Sequence, residues 1–199
     1  CSDHGEHLGE KQLVGHTNAI YNELARVPLI SRSPNGDFST EQRTETISTR
    51  RLFHTVLTAA GLANETEASL TLASGKQGEA VFAEAVPPQN VVNLLQERQP
   101  ELLATRGYDR TTRAIWQGNY KLLAKGESGL NRRELYHLTD DPNESINLHD
   151  IFPEKVEPLC DRLQSFLGQL PVSDLAEATA DNYNDPEVYR RLRDLGYID

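Results

Sequence analysis

Apolar residues recur along this chain with two periods, and the change of period marks its elements. From Ser48 to Ala60, residues Leu52, Phe53, Val56, Leu57 and Ala60 fall three or four apart. That spacing predicts an amphipathic helix with Ser48 or Thr49 as N-cap and Gly61 just past its end. A second helix is predicted after Pro153, where Val156, Leu159, Cys160, Leu163, Phe166 and Leu167 share one face. Cys160 then reads as a small buried hydrophobe, and Pro158 shortens or kinks the first turns. Asp185 as N-cap, with Pro186 behind it, announces a third helix burying Val188, Leu192 and Leu195 before Gly196. Residues 90–105 read as one or two short helices interrupted at Pro100, and Ala19 to Ala25 as another.

Between 111 and 138 the pattern becomes that of an antiparallel meander. TTRAIWQ, a Gly118-Asn119 turn, YKLLA, a polar loop and RELYHL follow in order, closed by a turn at Asp140 to Asn143. Residues 79–84 alternate as a strand ended by Pro87-Pro88, with Glu79 and Glu84 lacking any evident partner. Val27-Pro28-Leu29-Ile30 is an apolar run whose proline suggests a strand start or an edge, and 33–36 is a turn. Residues 62–78 read as a surface connection and 171–184 as a linker or wrapping tail. Trp116 and Tyr120 read as packing residues of the meander, and Arg132, Arg133, Arg190, Arg191 and Arg193 as solvated faces.

The composition narrows the classes. No run approaches the roughly 18 apolar residues of a membrane helix, so no membrane span is expected. A net charge of −10 disfavours a nucleic-acid backbone as partner. The hydrophobic share of 37% falls below the roughly 45–50% of self-sufficient domains, so an incomplete core is expected. The chain also opens on Cys1 and contains no methionine, which suggests a fragment or a processed chain. Cysteines at positions 1 and 160 alone do not make a disulfide framework.

Candidate chemistry concentrates in residues 1–16. Asp3, His4, Glu6, His7, Glu10 and His16 lie among Gly5, Gly9 and Gly15, the composition of a functional loop. Carboxylate oxygens with a neutral imidazole suit a divalent cation, and glycines let the backbone approach it. Such an ion takes about six ligands, so this loop alone supplies only part of a shell. The plain alternative is a solvated acidic loop.

SDHGEHLGE followed by VGH and IYNELARVPLISR resembles the closing motif of sulfatases, a branch of the alkaline-phosphatase-like superfamily. GNYKLL, ELYHLTDDPNESINL and the ending RLRDLGYID are similar to the C-terminal subdomain of that family. The resemblance implies an α/β fold: residues 1–88 closing the main sheet domain, 89–170 an antiparallel meander and helix subdomain, 171–199 a linker and terminal helix. It implies Asp3 and His4 as the last pair of metal ligands, most often for calcium. His16 then stands where relatives carry a Lys or His contacting sulfate, as a substrate-binding and catalytic group, either a hydrogen-bond donor or a general acid. The substrate implied is a small-molecule or carbohydrate sulfate ester.

The family's nucleophile is a formylglycine made within Cys-x-Pro-x-Arg or Ser-x-Pro-x-Arg, and neither pattern occurs here. It is expected outside this chain, in a missing N-terminal portion with the early metal ligands, leaving the isolated chain inactive. Lys11 replaces a frequent histidine, Val14 a usual tryptophan, and Arg51 and His54 stand in place of Asp and Pro. A phosphodiesterase or phosphonate monoester hydrolase of the same superfamily is an alternative. A non-catalytic interaction module is another, although such a module has little reason to keep Asp3, His4 and His16 together.

Overall fold

The computed structural model describes residues 1–16, 19–32, 42, 44–75, 78–126, 132–170, 187, 190, 191 and 193. Two compact units form, Cys1–Gln164 and Ser165–Asp199. The first carries everything that positions the candidate site.

Its framework is a four-stranded antiparallel sheet, β3 (Val81–Ala85), β4 (Thr112–Gln117), β5 (Tyr120–Lys125) and β6 (Arg132–His137), in sequence order. The predicted meander is its last three strands. The β4–β5 turn works because Gly118 adopts φ +58, a value that favours glycine. Strand β3, which precedes residue 88, pairs Glu84 with Arg113 in register. Their side chains bond at 2.6 Å, so Glu84 has a partner that the sequence did not reveal.

Registry separates two faces. Ile115, Leu122 and Leu135 are fully buried on one, and β6 on that face is tied to α6 (Pro153–Gln169) by Arg133 donating to Glu157 at 2.7 Å. Helix α6 buries Val156, Leu159, Cys160 and Leu163, as its spacing predicts. Each such aliphatic residue stabilises the fold by about 1.5–3 kcal/mol. On the other face Ala114, Trp116, Leu123 and Tyr136 form a core with Ile20. Trp116 is therefore packing, as expected, and Tyr120 meets the edge of His137.

Of the two predicted short helices, α4 (Gln89–Arg98) and α5 (Pro100–Arg106) both form, divided at Pro100. Two expectations need correction. Helix α2 (Arg50–Ala59) forms, yet its apolar stripe is not its buried face: Phe53 is 61% exposed and Val56 66%, while Arg51 is buried. Arg51 satisfies its guanidinium on the Thr71 carbonyl and the Glu79 carboxylate, and Thr55 accepts from the Leu72 N–H. Polar bonds thus anchor α2, and Glu79 is partnered too. The second correction concerns Val27 to Ile30, which forms no strand; Pro28 removes a ladder donor and Ile30 stays exposed.

The connection 62–78 also holds an unexpected turn of helix, α3 (Glu65–Ala68), closed by an Asn64–Glu67 capping box. The turn at 33–36 and the tail 171–184 lie outside the described residues. Of the terminal helix, positions 187, 190, 191 and 193 are described as helical, and Arg191 pairs with Glu187. Among the described residues no helix is long and apolar enough to cross a membrane.

Candidate metal centre

The loop at the chain's start is a miniature hairpin. Strands β1 (His7–Leu8) and β2 (Val14–Gly15) pair antiparallel, His7 opposite Gly15 and Leu8 opposite Val14. Continuing that register by one step sets Glu6 across from His16, and His16 Nδ1 lies 2.7 Å from Glu6 Oε1. The His4 ring stacks on His16 with centroids 4.4 Å apart. Ligand-type atoms of His4, Glu6 and His16 all lie within 4.8 Å of one another.

Asp3 stands beside this trio rather than inside it. Its Oδ2 is 3.8 Å from His4 Nε2, a spacing that one ion could bridge. Hydrogen bonds from its own and the His4 backbone N–H hold the Asp3 carboxyl below the usual carboxylate range, so it is ionised at neutral pH. His4 Nδ1 lies 2.8 Å from the Gly5 carbonyl. A carbonyl only accepts, so Nδ1 carries a proton, and in the neutral ring the lone pair lies at Nε2, on the side of Asp3. This pairing of a backbone carbonyl with a ligating imidazole is how proteins fix the tautomer a metal needs. The donor set therefore suits a divalent cation, to which His4 and Asp3 would offer part of a shell.

Gly5 fixes where the loop sits. Its N–H donates to the Leu24 carbonyl at 2.8 Å in α1 (Asn22–Ala25), and a Cβ there would overlap the Glu23 carbonyl oxygen. Helix α1 is clamped in turn by a buried ion pair. Glu144, 1% exposed, accepts from the Asn22 N–H at 2.5 Å and meets Lys121 Nζ at 2.6 Å. Lys121, fully buried, also donates to the Ile20 carbonyl at 2.6 Å and lies over the Trp116 ring. Desolvation pulls Lys121 down to about 8 and pushes Glu144 up.

The hairpin tip carries strain. Lys11 and Gln12 have φ of 54° and 61°, a region costing non-glycine residues about 1–2 kcal/mol each. Lys11 is held by the Glu144 carbonyl and Gln12 by Arg106 at 2.6 Å. His7 is fully buried against the Tyr21 ring, and neither of its ring nitrogens has a hydrogen-bond partner among the described residues.

The three expected site residues thus gather in one place, with Asp3 at its margin. Glu6 belongs to the acidic cluster read from the sequence but had no role of its own there, and Lys121 and Glu144 were not singled out. A hairpin register pairing His7 with Gly15 sets Glu6 opposite His16. No comparable signal marks Glu144, which reads as part of a polar turn.

No family model and no curated protein matches this chain. Solved structures do. A Bacteroides fragilis protein, YidJ, described as a putative sulfatase, aligns over 84% of this chain at TM-score 0.62 and 16% identity. A Bacteroides thetaiotaomicron protein with the same description aligns over 99% at TM-score 0.50 and 21% identity. The chain spans about a third of each, 34% and 37% of their lengths. It therefore has a sulfatase-like α/β fold, of which it carries the small antiparallel sheet.

Proposed function

We propose that this chain is the C-terminal part of a metal-dependent sulfatase acting on sulfate esters of small molecules or carbohydrates. Asp3 and His4 are its closing pair of metal ligands, calcium by resemblance, and His16 is the group that contacts sulfate. The observation that carries the reading is the His4 tautomer: Nδ1 committed to Gly5, Nε2 open 3.8 Å from an ionised Asp3. The similarity of fold to the two Bacteroides proteins supports the reaction class.

A bound cation would offset charge on the sulfate oxygens and on the leaving oxygen as the ester bond breaks. The chain's own residues do the rest of the positioning. Glu6 holds one N–H of the His16 ring, which sets the ring's orientation and turns its Nε2 edge away from Glu6. A proton carried at Nε2 would be the one donated to a sulfate oxygen or to the leaving oxygen. Gly5 and α1 hold this edge at a fixed height. The nucleophile belongs to residues outside these 199.

Calcium titration by calorimetry of the intact gene product and of its Asp3→Ala and His4→Ala variants tests the ligand assignment. Loss of at least tenfold in affinity in both is expected, and unchanged affinity would return the loop to a solvated turn. Turnover of an aryl sulfate against an aryl phosphodiester and an aryl phosphonate by the intact gene product separates the sulfatase reading from its alternatives.

A further inference from the structure

Four cations, Lys11, Arg106, Lys125 and Arg132, line one cavity of about 250 Å³ together with a single carboxylate, Glu134, in a chain whose net charge is −10. Their hydrogen bonds go mostly to neutral oxygens. Lys11 donates to the Glu144 carbonyl, Arg106 to Gln12 Oε1, Lys125 to the Arg106 carbonyl and Arg132 to the Thr105 carbonyl. Glu134 offsets one of the four charges: its Oε1 stands 3.6 Å from Arg132 Nε, while its Oε2 accepts from the hydroxyls of Tyr21 and Tyr136. Four cations against one carboxylate leave the lining net positive, a field that favours the entry of an anion. Guanidinium forks suit the planar or tetrahedral oxygens of carboxylate and sulfate.

The apolar part of the lining includes Leu13, Ile20, Leu123 and the Tyr108 ring. Apolar walls with a few convergent polar groups are the lining of a small-ligand site, and the volume lies just below the usual range of roughly 300–1,000 Å³. Lys11 and Gln12 enter the cavity from the tip of the hairpin whose base holds His4, Glu6 and His16. Lys11 and His16 are five positions apart, so their Cα atoms are at most about 18 Å apart. We propose that this cavity is a second anion subsite, taking a sulfate or carboxylate group on a neighbouring ring of the sulfated saccharide whose ester lies at Asp3, His4 and His16. The assignment rests on the sulfatase reading above.

The test follows the Nε–H resonances of Arg106 and Arg132 by NMR at constant ionic strength. The protein is titrated with sodium sulfate, with a monosulfated disaccharide and with its disulfated counterpart. Saturable shifts at Arg106 and Arg132, absent at Arg50 on α2, are expected, with the disulfated compound at least tenfold tighter than the monosulfated one. Arg106→Gln and Lys125→Gln should each weaken it about tenfold. Arg106 is only half-buried, so that variant remains informative if Lys125→Gln does not fold. Linear shifts shared with Arg50, unchanged affinity in a folded variant, or equal binding of the two disaccharides would each overturn the subsite. Failure of the underlying reading has its own signature: no response of the His4 and His16 ring signals of the intact gene product to calcium alone. The saccharide assignment then falls with it, whatever Arg106 does.

Discussion

Replacing Glu144 by glutamine exchanges one oxygen for an NH₂ group, yet it leaves the fully buried Lys121 ammonium without its counter-ion 2.6 Å away. Breaking a buried pair from one side costs about 3–5 kcal/mol, because the surviving charge stays out of water. Glu144→Gln should fall at the lower end of that range, since the new amide oxygen can still accept from the Asn22 N–H. Lys121→Met keeps the aliphatic stem over Trp116 but strands the carboxylate, with a similar cost. The two changes together remove both charges. What remains is the Ile20 carbonyl deprived of its donor, about 1–3 kcal/mol. The double variant should thus be more stable than the less stable single, and the cycle should give a coupling of at least about 2 kcal/mol. Urea denaturation of the four proteins at pH 7 measures this. Additivity within about 0.5 kcal/mol would refute the clamp.

The same pair governs alkaline behaviour. Lys121 titrates near 8 when folded and about 10.4 when unfolded, so in between the unfolded chain binds more protons and stability rises with pH. Tyr21 and Tyr136, raised by burial, give the opposite slope once unfolded tyrosines ionise near pH 10. Between pH 8 and 10 the wild type should gain up to about 1.4 kcal/mol per pH unit relative to the double variant, read from denaturation midpoints; parallel curves would refute it. Gly5→Ala should cost about 1–3 kcal/mol and weaken calcium binding, because the new methyl displaces the loop from the Glu23 carbonyl; a thermal shift and a calcium titration check both. Glu6→Ala should release the His16 ring, seen as altered Nδ1 and Nε2 nitrogen shifts with no change in melting temperature.

Local signals made most of the framework legible. The β4–β5–β6 meander was readable because its turns and alternation are set by neighbouring residues, and α6 because one face repeats over four turns. Helix α2 shows the limit. Its existence was encoded in spacing, but its buried side was decided by Arg51, whose partners at Thr71 and Glu79 lie 20 and 28 residues away. The loop of Asp3, His4 and His16 stood out by composition alone, whereas the Lys121–Glu144 clamp did not. A lysine in an alternating strand reads as solvent-facing, and only three-dimensional closure shows that it is buried. The cationic cavity was hidden for the same reason: its four basic residues come from the hairpin tip, the end of α5 and two strands.

The clamp also orders events in time. Asn22 bonds to a carboxylate 122 residues further along the chain. At translation rates of about 5–20 residues per second, Glu144 is made roughly 6–24 s after the segment it holds. Throughout that interval the loop with Asp3, His4 and His16 has left the ribosome with nothing to seat α1 against. The nascent site must therefore wait, unassembled, for a strand and a turn not yet synthesised, and a pause in translation between Asn22 and Glu144 lengthens the period during which Ile20 and Leu24 remain open to chaperones and proteases.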